Sequence, residues 1–192
     1  MDFKELVVRT RSVRRFDASR KIPCETLVSL VDSARLAPSG SNKQTKKYIV
    51  ITCEDLLDKV FPMLKWAGYL TDWDGPEREE RPVGYIVILQ DKSLSQSNDV
   101  DTGIVAESIV LQAASSGIGA CMLASVDRKA LMDLLDIDPD CFYINLVIAL
   151  GYPAEFPVLE DVVDGDIKYY RDEKGVHHVP KRVLGDVLLK TL

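Results

Sequence analysis

Histidine is scarce in this chain: its 192 residues include only two, His177 and His178, side by side. Neighbours in an extended segment point to opposite faces, so the pair cannot close on one metal ion, and no third imidazole exists for a hydrolytic triad. The four cysteines, Cys24, Cys53, Cys121 and Cys141, lie 29, 68 and 20 residues apart. No pair has the close spacing of a zinc knuckle or a redox dithiol, and their apolar neighbours suggest buried structural thiols. Cationic excess is also missing: 24 Lys and Arg stand against 30 Asp and Glu, a net charge of −6. This argues against general nucleic-acid binding, which needs a basic face. No apolar run approaches the ~20 residues that span a bilayer. Met1-Asp2-Phe3-Lys4-Glu5 has acids where a signal peptide has its apolar stretch. The expectation is a cytoplasmic protein with one domain over residues 1–192, without membrane or nucleic-acid partners.

Catalytic signatures are missing too. No phosphate loop ending in Gly-Lys-Ser/Thr and no Gly-x-Ser-x-Gly elbow occurs. Gly117-Ile118-Gly119-Ala120-Cys121-Met122 opens like a dinucleotide fingerprint, but it lacks the third glycine and follows a helical pattern. With no catalytic side-chain set and no metal cluster in view, any catalysis would use chemistry borrowed from a cofactor.

Apolar periodicity supplies the elements. Pro23 opens a helix with Leu27, Leu30, Val31 and Ala34 on one face, stopped by Ala37-Pro38-Ser39-Gly40. Strands are expected at 48–52, 85–89, 120–123 and 143–150, and helices around Leu56–Leu64 and Asp127–Leu135. Tyr85–Leu89 is apolar throughout and should be buried on both faces. In the helix from Asp101 to Ser116, which Asp99 or Asp101 can cap, Glu107 is the only charge amid apolar side chains. Such a helix has no solvent face, and a second subunit is its easiest cover. Residues 66–82 lack a period and carry Trp66, Tyr69 and Trp73, as lid and substrate loops often do. Residues 154–192 form a tail in which 167–171 and 176–179 could pair across a turn. The interleaving of helices and strands without a βαβ repeat indicates an α+β fold.

Two short motifs carry chemistry. Arg11-Ser12-Val13-Arg14-Arg15-Phe16 sets guanidinium groups around a hydroxyl, suited to a phosphate or a polar ring edge, inside a segment (residues 1–21) of local charge +4. Ala37-Pro38-Ser39-Gly40-Ser41-Asn42-Lys43-Gln44 is a loop of small residues and amides just past a helix. Set about 25 residues apart near the N-terminus, they resemble the FMN-dependent nitroreductase family. The nearly uncharged helix, Gly117–Ser125, Gly151-Tyr152-Pro153 and the basic pair Lys181-Arg182 follow in the family's order. The sequence departs from the family at Gln44-Thr45-Lys46-Lys47, where many members continue Gln-Pro-Trp.

The resemblance implies a mostly antiparallel sheet flanked by helices, and a homodimer built around the apolar helix with FMN at its interface. It implies that Arg11, Ser12 and Arg14, with Lys181 and Arg182, hold the FMN phosphate, ribityl chain and ring edge, Arg14 lying near the ring. Pro38, Ser39, Gly40, Ser41 and Asn42 would reach the same flavin from the other subunit, and Leu123, Ala124 and Ser125 would run beside the ring. No side chain is expected to be catalytic, since the chemistry would sit at flavin N5. NADH or NADPH would be the donor, and an electron-poor acceptor such as a nitroaromatic or quinone would enter near Trp66, Tyr69 and Trp73. The alternatives are a flavin sensor or carrier without turnover, and a specialised family chemistry such as reductive dehalogenation or azoline oxidation.

Overall fold

A computed structural model describes residues 2–95 and 99–192. Its elements are α1 (Phe3–Arg9), α2 (Cys24–Arg35), β1 (Lys46–Ile51), α3 (Glu54–Val60), β2 (Gly84–Asp91), α4 (Asp99–Ser115), β3 (Gly119–Leu123), α5 (Arg128–Leu134), β4 (Phe142–Gly151), β5 (Val158–Asp161), β6 (Tyr170–Arg171), β7 (His177–Lys181) and α6 (Leu184–Val187). The main sheet runs β1-β2-β4-β3 and is antiparallel throughout. This is the α+β fold expected from the sequence.

Alternation along the two central strands divides the core. Tyr85, Val87 and Leu89 of β2, with Val147 and Ala149 of β4, meet Leu57 and Val60 of α3 and Leu131 of α5. Ile86 and Ile88, with Ile148 and Leu150, meet Leu27, Leu30 and Ala34 of α2 and Val105, Ile109 and Ala113 of α4. Because helices cover both faces, β2 is buried at every position from Gly84 to Gln90. That is why its sequence is an apolar run rather than an alternation.

Helix α4 packs one side into the core of its own chain. Asp101, Thr102, Val105, Ala106, Ile109, Val110 and Ala113 are all buried within this single chain. The exposed positions of the helix are Asp99, Val100, Gly103, Glu107 and Ser115. The cysteines differ from expectation: Cys121 is buried, whereas Cys24, Cys53 and Cys141 are exposed.

The N-terminal segment threads these layers together. Helix α1, not expected from the sequence, is started by a capping box in which Asp2 accepts from the Glu5 N–H and Glu5 from the Asp2 N–H. Beyond it the chain crosses the sheet end: the Val13 N–H donates to the Ala120 carbonyl at 2.9 Å, and the Phe16 N–H to the Glu80 carbonyl at 2.9 Å. Phe16 is fully buried against Gly151, where a Cβ would come within 2.7 Å of the ring, so only glycine admits the phenyl group. In the tail, β6 and β7 pair as expected, and β5 joins β7 in parallel to complete a second, three-stranded sheet. No helix among the described residues is long and apolar enough to cross a membrane.

The burial of α4 sets a test. Ile109→Asp places a charge at a position with no exposure and should lower stability by more than about 3 kcal/mol. A melting curve checks this; a folded protein of unchanged Tm would contradict the covered core described above.

Candidate functional site

The residues Thr10 to Arg14 lie between the end of α1 and the sheet, where Ser12 bridges Ala120 of β3. The bridge turns this stretch into an extended edge, and the tail closes over it from the other side. Between them lies a cavity of about 310 Å³ lined by Arg11, Ser12, Arg14, Tyr169, His177 and Lys181, with Glu107, Val110, Ala120 and Met122 completing its walls.

Arg14 is the centre of this site and is almost wholly buried. Its main-chain N–H donates to Glu155 Oε1 at 2.6 Å, and Glu155 Oε2 is paired with Arg171 at 3.0 Å. The guanidinium itself meets no carboxylate among the described residues. Its Nη1 donates to His177 Nε2 at 3.0 Å and lies 3.4 Å from the Ser12 carbonyl, and its Cζ sits 4.7 Å from the centre of the Tyr169 ring. Burying a cation among neutral partners is costly unless something anionic or strongly polar completes the shell. Arg14 Nε is buried without a hydrogen-bond partner among the described residues, and so is Arg11 Nε. Arg11 Nη2 donates to the Val7 carbonyl at 2.8 Å. Burial draws the Arg11 pKa below its ordinary value, and Glu107 opposes the shift.

His177 is 1% exposed. Burial first, and then the Arg14 charge, push its pKa down to about 4, so it is neutral at pH 7. The alternation expected of the histidine pair holds: His177 turns in to Arg14, while His178 turns to Glu160 at 3.1 Å and Asp172 at 3.4 Å. Sequence reasoning set His177 aside because it and His178 face opposite ways and so cannot share a metal ion. Tyr169 and Glu155 lie in the tail and carried no signal either. Cys121 is also close to Arg14, but burial raises its thiol pKa to about 11, which leaves it protonated and unreactive.

Of the residues expected from sequence to act together, the structure brings Arg11, Ser12, Arg14 and Lys181 to this one cavity. Arg182 is exposed and outside it. β3 sends Ala120 and Met122 to the cavity wall, whereas Leu123 turns into the opposite core and Ala124 and Ser125 follow exposed beyond the strand. The loop from Pro38 to Asn42 lies apart from the cavity, near the start of α4, where the Gly40 N–H donates to Asp101 Oδ1 at 2.9 Å. Ser41, Asn42 and Gln44 all hold positive φ (52°, 54° and 50°), a cluster of strained residues such as functional loops carry. A second cavity of about 210 Å³ touches this loop through Ser39 and Gln44. Thr45 and Lys46, where the family pattern has proline and an aromatic, are buried, and Lys46 Nζ reaches Thr102 Oγ1 at 2.6 Å and Gln90 Oε1 at 2.8 Å.

The aromatic loop is corrected. Trp66 is a core residue, 6% exposed and packed on Phe61 and Gly75, so it has no face to offer a substrate. Tyr69 and Trp73 lie outside the cavity and clasp the tail instead, Tyr69 on Tyr169 at 4.9 Å and Trp73 under Arg171 at 4.2 Å. The loop is fastened to the tail wall of the site.

The depressed pKa of His177 links the site to stability. Between pH 6.5 and about 4 the unfolded chain binds a proton at this residue that the folded chain refuses. Stability is therefore full above about pH 6.5 and falls on acidification toward pH 4, by on the order of 2–3 kcal/mol. His177→Gln should remove that part of the slope; denaturant titrations of both proteins from pH 4 to 7 would show it, and parallel slopes would contradict it.

Comparison with known proteins identifies the frame that carries this site. A family model described as the nitroreductase family matches residues 7–74 and 79–152. The chain is 28% identical over 172 residues, 86% of this chain and 85% of the other, to a Methanothermobacter thermautotrophicus protein provisionally named NADH dehydrogenase/NAD(P)H nitroreductase. Among solved structures, a provisional nitroreductase of Desulfovibrio desulfuricans in complex with FMN superposes with a TM-score of 0.70 at 21% identity, covering 98% of this chain and 96% of that one. An FMN-dependent nitroreductase of Clostridium difficile superposes with a TM-score of 0.62 at 24% identity, covering 78% and 87%. The chain belongs to the nitroreductase family.

Proposed function

We propose that this protein is an FMN-dependent oxidoreductase that passes a hydride from NADH or NADPH to an electron-poor acceptor such as a nitroaromatic or quinone. The observation that carries this reading is the cavity in which Arg11, Arg14 and Lys181 converge while Arg11 Nε and Arg14 Nε lack protein acceptors among the described residues. Three cations, buried N–H donors and a patch of apolar wall fit a ligand with a phosphate at one end and a flat ring at the other. FMN is such a ligand, and when bound it supplies the redox chemistry, accepting and giving up hydride at its ring nitrogen N5.

The chain's own residues bind and orient. Arg11 and Lys181 hold the phosphate, with the Ser12 hydroxyl as a further donor, and Val110, Ala120 and Met122 give the ring an apolar bed. The Arg14 guanidinium is a cation whose side-chain partners are the Ser12 carbonyl, His177 and the Tyr169 ring, with no carboxylate paired to it among the described residues. That charge favours whatever negative charge gathers at the ring edge. No side chain need transfer a proton, in keeping with the protonated Cys121 thiol. The loop Pro38–Asn42 serves the cavity of a second copy, a homodimer being part of the reading, and the outward positions Val100 and Gly103 of α4 give the partner a place to dock.

The absorption spectrum of the purified protein tests the reading. A flavin band is expected that NADH or NADPH bleaches and a nitro compound restores. A flavin band that neither nicotinamide bleaches would make the protein a flavin carrier. Arg11→Ala removes charge-assisted contacts to the phosphate, each worth roughly 1.5–3 kcal/mol, so FMN should bind about 10- to 150-fold more weakly. Unaltered affinity by flavin fluorescence would contradict the assignment of Arg11.

A further inference from the structure

One residue of the cavity wall does not match the cations around it. Glu107 is the only carboxylate among the lining residues, set against Arg11, Arg14 and Lys181. It is also the only charge in helix α4 from Thr102 to Ser115. The residue is exposed and lines the cavity, so a ligand there can reach it. Glu107 and Arg11 feel one another across this space: burial draws the Arg11 pKa down, and the carboxylate opposes that fall. Yet the two form no ion pair among the described residues. Arg11 instead gives Nη2 to the Val7 carbonyl at 2.8 Å, and the Glu107 carboxylate takes no hydrogen bond from any described residue.

The chemistry of the two groups restricts what fits between them. A guanidinium only donates, and an ionised carboxylate only accepts. A fully ionised phosphate oxygen satisfies Arg11 and is repelled by Glu107. An ammonium group does the reverse. A hydroxyl satisfies both, its oxygen accepting from Arg11 while its hydrogen is donated to Glu107.

We infer that Glu107 is a specificity-determining residue, accepting from a ligand O–H whose oxygen is held by Arg11. The inference rests on the flavin reading above and deepens it, because it requires a ligand that is hydroxylated as well as anionic. FMN offers such a group in two places: the ribityl hydroxyls, and the P–O–H of its phosphate when singly ionised. Both have the same chemistry toward Glu107, and the choice of ligand separates them.

Flavin fluorescence quenching at pH 7 with Glu107→Leu and Glu107→Gln tests this. Leu removes the acceptor, whereas Gln keeps an acceptor oxygen without the charge. Riboflavin is uncharged, so its titration contains no repulsion between the carboxylate and a phosphate. Lumiflavin, which lacks the ribityl chain, is the control. With a ribityl hydroxyl as donor, Leu should weaken riboflavin binding about tenfold and leave lumiflavin unaltered, with Gln falling between Leu and the unaltered protein. With the phosphate as donor, riboflavin binding stays the same and the effect is read by competition. Inorganic phosphate, which keeps an O–H at pH 7, should then displace FMN from the unaltered protein at about tenfold lower concentration than sulfate, which has none. Leu should abolish that preference. Either result supports the assignment of Glu107. Unaltered riboflavin affinity together with an unaltered phosphate-to-sulfate ratio overturns it, and so does an equal weakening of lumiflavin. Melting curves check that the variants fold at this exposed position; should Leu not fold, Gln carries the comparison. If the unaltered protein quenches none of the three flavins, the flavin reading falls and this contact falls with it. If it binds them and the Leu variant matches it in every titration, the Glu107 assignment alone falls.

Discussion

A buried cation with neutral neighbours organises this molecule. Arg14 lies almost out of solvent, yet the Glu155 carboxylate accepts from its main-chain N–H and spends its other oxygen on Arg171. The side chain is oriented by a carbonyl, an imidazole and an aromatic face, none of which cancels its charge. In a low-dielectric pocket such a charge is worth far more to a ligand than one on the surface. It is also costly to the empty protein, and the surrounding structure must hold it in place.

Much of the tail serves that purpose. Glu155 and Arg171 form a buried ion pair that pins the start of the tail and β6 to the Arg14 backbone. Strand β7, paired on both sides, delivers His177 and Lys181 to the cavity. The 66–82 loop adds Tyr69 and Trp73 behind Tyr169 and Arg171. Loop, tail and N-terminal segment thus share contacts around one guanidinium, although they lie more than 150 residues apart at the extremes. Disturbing one of these contacts should be felt at the others, since such coupled sites are not independent.

The main sheet and its helices were legible in the sequence because their information is local and periodic. Pro23 and the Leu27–Ala34 stripe give α2, and the unbroken Tyr85–Leu89 run gives a strand buried on both faces. The motif Arg11–Arg14 with Lys181 marked part of the cavity, since cation clusters stand out in an acidic chain. The remainder depends on contacts between distant segments. Nothing near Trp66 states that it fills the core, and its aromatic neighbours suggested a substrate loop instead. The apolar pattern of α4 did not say which of its sides packs on α2 and the sheet. The exposed cysteines misled for the same reason, because apolar neighbours in sequence do not define neighbours in space. The Asp2–Glu5 capping box was readable but lay in a segment judged by charge alone.

The central claim is that these cations form a site for a flavin phosphate, and one comparison addresses it most directly. FMN and riboflavin share ring and ribityl chain and differ by the phosphate, so titrating each into the protein isolates the charge. The account predicts that FMN binds at least about a hundredfold more tightly, with an advantage that shrinks as salt is raised. Equal binding of the two flavins, or a preference for FMN indifferent to salt, would contradict it.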